Sequence, residues 1–590
     1  MSDEVNGATT PEKYAIGISF GNSYSSIAHI SGEGKVEVIA NEEGDRQIPS
    51  VISYVEGEEY HGTQAKTQLV RNAKNTIAFF RDYLGKTYEQ IDPSPSRYSA
   101  KPQEAEGKVV YEVADTPDSD KVSKVDISTI TTRHIQKLKE SAGNYIGKKI
   151  TSAVVSVPTD TTAEQKAALT KAAKGADLEV LQFINEPTAA VLAYDSRATD
   201  SIRDRTILVA DFGGTRSDAA VIVCSGGGLY SILATTHDYE LGGTLLDQVL
   251  IDHFAKEFEK KNKTDPRKND RSLAKMKLEA ENVKKTLSQS ATATFSVESL
   301  ADGTDFRSTI NRTRYQLLAV KQFQRFSRLV EEVIKKANLD VLDIDEVIMS
   351  GGTSSTPKIA ENIQALFPET TTVYSPATST SSLIPSELSV RGAAIQASMI
   401  QDIDKEDIEQ STHEMVTVTA HTRSAIGVQI SGQPVEDFTV IVPATTAVPA
   451  RRTKTISITT ATQGDILLLV SEAESTIKTT KPEPKPKSKP KTNGATVEDE
   501  KDSDADSDDE DDEDDDEETR SKIYKVTQPL AEFVFKDLKL PTKLEVTVNV
   551  DADLALSIAA REVKTKSTGS SSSGVRGTIP APKMTENGSV

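Results

Sequence analysis

Apolar positions between residues 12 and 400 switch repeatedly between two periods. Short apolar or alternating runs predict strands at Tyr14–Ile18, Ser25–Ile30, Val36–Ile39, Ala153–Val157, Ile207–Ala210 and Ala219–Val223. Apolar residues recurring every three or four positions predict helices over Thr63–Arg71, Ile130–Ala142, Ala163–Ala173, Gly243–Lys260, Ser272–Ser288, Tyr315–Lys336 and Pro357–Leu366. Strands interleaved with amphipathic helices over this length indicate an α/β architecture. The pattern then changes. Gln401–Gln410 is charged and fits a short helix or a linker. From Met415 to Val470 valine, threonine and isoleucine alternate with polar residues, as in Lys454-Thr455-Ile456-Ser457-Ile458-Thr459, which predicts an all-β module. Strand texture returns at Lys543–Val550 and Ala555–Arg561.

Composition sharpens this division. A chain of 590 residues is too long for one core and implies several units. The apolar share of 36% is low, which places part of the chain outside any core. Glu498–Glu518 holds 17 acidic residues and one lysine, so this run alone carries −16 of the net charge of −21. Just before it, lysine alternates with proline over Lys478–Lys491. Neither tract can bury enough apolar surface to offset chain entropy, so both are expected to be disordered. The acidic run has two readings, a solubilising insertion or a bait for basic partners. The expected organisation is a disordered 1–11, an α/β domain over 12–400 and a linker over 401–418. A β domain over 419–566 follows, interrupted by an insertion at about 478–522, and then a disordered tail over 567–590.

Several function classes drop out. No basic domain suited to DNA or RNA is present. The single cysteine, Cys224, cannot form an internal disulfide and fits a reducing compartment as a packed core thiol. The polar N-terminus does not resemble a signal peptide, and no segment approaches the ~20 apolar residues of a membrane helix. The chain is therefore expected to be soluble and cytoplasmic or nuclear. The 7 histidines lack ligand spacing, so no metal ligand is named. No Ser/His/Asp or Cys/His nucleophile arrangement stands out, and no catalytic residue is named.

Glycine turns carry the candidate chemistry. The stretches Ser19–Tyr24 and Asp211–Asp218 both follow β runs and lie about 200 residues apart, which suggests a duplicated fold closing on one ligand. Without a Cβ, backbone N–H groups can approach a phosphate. A lone Gly-Gly is an ordinary turn, but repetition in strand–turn–helix register points to phosphate. The candidate binding residues are Gly21, Asn22, Ser23 and Tyr24 in the first turn and Asp211, Gly213, Gly214 and Thr215 in the second. Gly242 and Gly243 immediately precede a helix, as an anion site requires, and Gly351, Gly352 and Thr353 form a further turn. Glu281, Lys284, Lys285 and Ser288 fall at i, i+3, i+4 and i+7 on one helix face, which out of context is a solvated charged face.

Taken in order, Gly17–Ser25, Val154–Pro158, Asn185-Glu186-Pro187-Thr188-Ala189-Ala190, Asp211–Asp218, Leu241-Gly242-Gly243 and Ser350-Gly351-Gly352-Thr353 closely resemble the seventy-kilodalton heat-shock (DnaK-type) chaperones. The resemblance runs from Tyr14 to Ile400. It implies an actin-like, two-lobed nucleotide-binding domain with ATP in the central cleft. It also implies that Glu281, Lys284, Lys285 and Ser288 contact ribose and adenine.

The departures are equally informative. The family's first-turn aspartate, which helps organise magnesium, is Ser19, and its two threonines are Asn22 and Ser23. Its lysine near the attacking water is Arg81, its third glycine in the second turn is Thr215, and the threonine after it is Arg216. An acid of the next turn is Thr244, and the arginine stacked on adenine is Ser355. A Cβ at Thr215 and a cation at Arg216 would crowd the γ-phosphate region. Phosphoryl transfer rests on positioning and charge stabilisation, and each 1.4 kcal/mol of barrier is about tenfold in rate. ATP is thus expected to bind with little or no hydrolysis, with magnesium left open.

Ala425–Val428, Pro443–Ser457, Leu544–Ala552 and Thr565–Gly569 resemble both ends of the family's peptide-binding β domain. The resemblance implies a helical lid of ~100 residues after it, but only about 20 Ser/Gly/Pro-rich residues follow, so a lidless domain is expected. The family's apolar interdomain linker has no counterpart in Ile403–His413. A degenerate cleft with a lidless β domain is similar to the lineage that pairs with the J-domain protein zuotin in the ribosome-associated complex. That similarity implies a heterodimer with zuotin, contact with the ribosome and nascent chains through the complex, and stimulation of an active DnaK-type chaperone. The alternatives are an ATP-cycling peptide-binding chaperone, a nucleotide-exchange factor and a small-molecule kinase of the actin-like superfamily.

Overall fold

A computed structural model describes residues 14–579 apart from 94–97, 115–121, 198–203, 226–227, 413–420, 433, 435–436, 459–464, 481–518, 537, 539–540, 552–553 and 564–573. The chain divides into two compact units, Met1–Thr419 and Ala420–Val590.

The first unit contains one topology twice. In its first half Ala15–Phe20, Tyr24–Ile30 and Val36–Ile39 form an antiparallel meander. Ser152–Val157 adds in parallel to Ala15–Phe20, and Glu179–Asn185 adds in parallel to that strand. The second half repeats the pattern. Arg205–Phe212, Ser217–Ser225 and Leu229–Asp238 form the meander, and Glu346–Ser350 and Thr372–Tyr374 add in parallel. Parallel neighbours require a crossover, and helices supply it. Each half keeps its own core, built around Ile16, Phe20, Phe80 and Leu138 in the first and around Phe254, Phe295, Phe323 and Phe326 in the second. Cys224 is buried, as a core thiol would be.

Two helices bind the halves together by crossing over. Glu186–Asp195 continues from the first sheet, yet its Ala190, Val191 and Ala193 pack on Ile207, Val209 and Ile348 of the second. Leu388–Ile400 follows the second sheet, and its Ala393 and Ala397 pack with Ala15 and Val154 of the first. Two glycines make this possible. A Cβ on Gly17 would lie 2.7 Å from Ala394 Cα, and one on Gly392 would lie 2.5 Å from Ala189 Cα.

Most predicted elements appear with longer ends, since Ile127–Ile146 starts at an Asp126 cap and stops at Gly147 with φ 72°. The helix expected over 315–336 is instead two, Arg312–Leu318 and Val320–Lys336, because Asn311 caps an earlier start and the chain turns at Ala319. Gln401–Gln410, read as a short helix or a linker, is helical from Lys405 in a helix that runs to Thr412, where Ile408 is buried against the first half. One apolar residue docks a segment that is otherwise charged.

The second unit is a β-sandwich. One sheet has the order Thr439–Val442, Ala425–Ile430, Ile466–Thr480, Thr519–Phe535, and the other Ala450–Ile458, Thr542–Val550, Leu556–Glu562, Gly574–Ile579. Their facing side chains, among them Val428, Leu468, Phe533, Val546 and Ile558, form one core. Two expectations need correction. The insertion begins later and ends earlier than 478–522, since Lys478–Thr480 still pairs with Thr519–Ser521. The tail is not structureless throughout, because Gly574–Ile579 pairs along the edge of Leu556–Glu562. Backbone pairing at an open edge is indifferent to the Ser/Gly composition that suggested a tail. The N-terminal 1–11, the acidic run, and residues Ala552 and Thr565–Gly569 lie outside the described residues. Among the described residues no helix is long and apolar enough to cross a membrane.

Two stability predictions follow from this core. Gly392→Ala forces a methyl against the Ala189 backbone and is expected to cost about 3 kcal/mol, read by chemical denaturation; a loss below about 0.5 kcal/mol would contradict the close approach. His134 is buried between Phe20 and Phe80, with Nε2 2.9 Å from Ser25 Oγ. Burial, then the neighbouring His61, pushes its pKa down to about 3. The unfolded state takes up its proton near pH 6.5 and the folded state does not, so stability declines as pH falls from 6.5 toward 3, by up to about 1.4 kcal/mol per pH unit. His134→Gln is expected to flatten that decline, seen as melting temperatures less dependent on pH between 6.5 and 4.

Candidate functional site

The two glycine turns are matching hairpins that face each other. Each is closed by a short backbone bond, Gly21 N–H to the Tyr24 carbonyl at 3.1 Å and Gly213 N–H to the Arg216 carbonyl at 3.0 Å. They also touch. Asn22 Nδ2 donates to Thr215 Oγ1 at 3.3 Å, and a Cβ on Gly214 would lie 2.9 Å from Ser23 Cβ. Positions where the DnaK-type family carries threonines and glycine thus contact one another directly.

The Gly242-Gly243 turn departs from expectation. It opens the helix Gly243–Asn262, but Gly243 N–H is bonded to the Gly213 carbonyl at 3.0 Å and Thr244 N–H to the Gly214 carbonyl at 2.8 Å. An anion site needs those donors free, and the second hairpin takes them. The same hairpin is fastened again by Thr353 Oγ1, 2.8 Å from the Gly213 carbonyl. Gly351 has φ 81°, and a Cβ there would lie 2.5 Å from Asp211 Oδ1. Ser350 Oγ donates to Asp211 Oδ2 at 2.9 Å. Gly352 continues this turn into a short 3-10 helix over Gly352–Ser355.

The four positions on the helix Asp270–Gln289 have separate fates. Glu281 accepts from Lys66 at 2.6 Å, pairs with Lys285 at 2.9 Å, and accepts from the Tyr24 hydroxyl. Against burial, which alone would raise it, Lys66 and then Lys285 and Lys284 hold the Glu281 carboxyl far below the usual range. Lys66 and Tyr24 belong to the first half, so this cluster bridges the cleft. Lys284 turns toward the glycine turns, donating to the Gly243 carbonyl at 2.8 Å and pairing with buried Asp247 at 2.7 Å. Ser288 bonds back to the Lys284 carbonyl at 3.2 Å. Sequence reasoning missed Lys277, one turn earlier on the face of Glu281. Its Nζ lies 3.7 Å from the Tyr98 ring centroid and 5.5 Å from that of Phe79, across the cleft, and burial pushes its pKa down to about 7.

A cavity of about 800 Å³ opens beside the hairpins, bordered by Asn22, Arg81, Thr215, Arg216, Thr244 and Lys277 among others. That volume suits a small-molecule ligand. Arg81 pairs with its neighbour Asp82 at 2.5 Å. Burial, then Asp211, raises the Glu186 carboxyl, and burial, then Asp218, raises that of Asp211. Arg216 borders this cavity with its guanidinium held by neighbouring acids. Its Nε donates to Asp218 at 2.9 Å, its Nη2 reaches Asp218 and, at 3.0 Å, Asp160, and its guanidinium lies 4.7 Å over the Tyr239 ring. Among the described residues, Asp160, Asp218 and His237 alone have donor atoms close enough together to share a metal ion. With the guanidinium against both Asp218 oxygens, these residues do not fit one.

The family model for Hsp70 proteins matches residues 15–483. The chain belongs to the Hsp70 family. The match passes the end of the α/β unit into the β-sandwich, and an actin-like two-lobed domain followed by a β-type domain is the fold that results. A small-molecule kinase would not carry the second part. The chain is 41% identical over 552 residues to the ribosome-associated complex subunit SSZ1 of Saccharomyces cerevisiae, covering 93% of this chain and 98% of the relative. It is 44% identical over 473 residues to a heat shock protein 70 homolog of Schizosaccharomyces pombe, covering 80% and 82%. Against heat shock 70 kDa protein 14 of Danio rerio the identity is 32% over 445 residues, covering 75% and 85%.

The cross-cleft cluster of this Hsp70 chain generates a test. Glu281→Gln leaves Lys66 without its carboxylate, and because the pair is about one-fifth exposed the expected cost is about 2 kcal/mol, below that of a fully buried pair. Hydrogen exchange should rise in both Tyr24–Ile30 and Asp270–Gln289. A rise confined to one of them would mean that Glu281 does not join the halves.

Proposed function

We propose that this chain holds ATP in the cleft with little or no hydrolysis. We place it as the stable partner of a J-domain protein, zuotin or its counterpart, on the ribosome. There the pair would stimulate an active chaperone of the same family on nascent polypeptides in the cytoplasm. The observation that carries this reading is the nearly end-to-end likeness to SSZ1, whose name makes it a subunit of the ribosome-associated complex. The cleft gives independent support through Ser19, Asn22, Thr215 and Arg216, which stand where turnover needs other groups. Asn22, Ser23, Thr215 and Arg81 would border the phosphates, and Glu281 and Lys285 would face the nucleoside. A ligand bound only to the native state stabilises it by about 2.7 kcal/mol at a hundred times its Kd, so ATP would act as structural glue.

Affinity purification from cytosol together with salt-washed ribosomes is the first experiment. Recovery of a J-domain protein and ribosomal subunits is expected, and absence of both overturns the proposal. Purified protein should also show ATP turnover at least tenfold below that of active relatives, with no stimulation by a J-domain. Turnover that rises with a J-domain would instead mark a cycling chaperone, and accelerated nucleotide release from an active relative would mark an exchange factor. The triple variant Ser19→Asp, Thr215→Gly, Arg216→Thr should gain nucleotide affinity while turnover stays low, because Arg81 remains. A kcat equal to that of active relatives would refute this.

A further inference from the structure

We infer that Arg216 is a built-in counter-cation: its guanidinium takes the place that Asp160, Asp218 and His237 would otherwise offer to a metal ion, and in doing so ties the two halves together. The three potential ligand atoms lie close enough to share one ion. Every one of those residues has Arg216 against it. The fork meets Asp218 through both Nε and Nη2, the pairing geometry a planar guanidinium forms with carboxylate. Nη2 also reaches Asp160 Oδ1 at 3.0 Å. His237 Nδ1 lies 3.2 Å from Nη2 and 2.5 Å from Asp218 Oδ1, so its proton belongs on the bond to Asp218 and Arg216 sees the ring through space. Tyr239 completes the enclosure, stacking under the guanidinium and donating to Asp160 Oδ2 at 2.6 Å. Asp160 follows the strand Ser152–Val157 of the first half, whereas Arg216, Asp218, His237 and Tyr239 all lie in the second. A metal ion would need several of these oxygens at once, and a fixed positive charge already stands against them. Burial alone would raise the Asp160 pKa, but Arg216, then the Tyr239 hydroxyl, brings it below the ordinary range, as a bound cation would.

The inference does not depend on nucleotide binding, and its test uses Mn²⁺ alone with the full-length, nucleotide-free chain. The acidic run contributes a weak Mn²⁺ background common to all variants, so differences are read. In calorimetric titration, wild type and wild type carrying Asp160→Asn should give the same isotherm. Arg216→Ala should gain one further site at least tenfold tighter than background, and Asp160→Asn with Asp218→Asn in that variant should abolish it. Mn²⁺ should also recover the melting temperature lost in Arg216→Ala and leave wild type unmoved. Arg216→Lys, which keeps a point charge, should gain no such site. A folded Arg216→Ala or Arg216→Gln without a new Mn²⁺ site overturns the inference. So does a wild-type isotherm that loses a site on Asp160→Asn, a comparison that requires no Arg216 variant to fold.

Discussion

The distance between the two halves of the first unit is set by backbone approaching backbone. Each half lends a helix to the other, and the helices can lie that close only because Gly17 and Gly392 lack a Cβ where Ala394 and Ala189 pass. Interiors are packed to crystal-like density, so this contact has little slack. It determines where the hairpins end. Phe20–Tyr24 and Phe212–Ser217 extend from paired central strands, and with the sheets held at that spacing their tips meet through Asn22 and Thr215. Every polar contact across the cleft inherits its geometry from two positions that carry no side chain.

Within that frame the cleft is held by charge. Lys66 and Glu281, Arg216 and Asp160, and Lys277 on Tyr98 and Phe79 all span it. Taking such groups from water costs several kcal/mol per ion, and only close, saturated pairing returns it. Lys284 illustrates the saturation, bonded both to Asp247 and to the Gly243 carbonyl. The contrast is with Glu186 and Asp211, which are each pushed toward the protonated form by burial and then by a neighbouring carboxylate, Asp211 for Glu186 and Asp218 for Asp211. The cleft therefore stays polar and strained in charge at one spot while being braced at three others. Bracing of this kind orders the site before any ligand arrives, which lowers the cost of binding and leaves less motion to couple to it.

Much of this was legible in the sequence. Period-two and period-3.6 runs located many of the strands and helices of both lobes, though not Leu229–Asp238, Thr292–Ala301, Thr304–Asn311 or the crossing helix Leu388–Ile400, and ordered glycine motifs gave the family. Three further things were not legible. The fates of Gly243 and Thr244 were hidden because a helix start looks like an anion site until one knows whether another turn's carbonyls reach it, a contact spanning about 30 residues of chain. The strand Gly574–Ile579 was hidden because edge pairing draws on backbone groups that composition does not report. The role of Arg216 was half legible: its size and charge were plain, but its direction depends on Asp160 and Tyr239, which no local pattern connects to it. Spacing on a helix could have flagged Lys277, four residues before Glu281. Its aromatic partners could not have been foreseen.

The altered positions also explain one another. Were they separate losses, each substituted side chain would face the space its predecessor left. Instead Asn22 bonds Thr215, Ser23 packs on Gly214, and Arg216 reaches across to Asp160. Groups in direct contact do not contribute independently, and residues acting as a unit are strongly non-additive in mutant kinetics. Reverting any one of them therefore removes a contact made by another before it restores anything a reaction could use. Thr215, which carries a side chain where the resembling family has glycine, has its hydroxyl bonded by Asn22. The set is internally consistent as a brace, and a brace between lobes opposes the opening and closing that a turnover cycle requires.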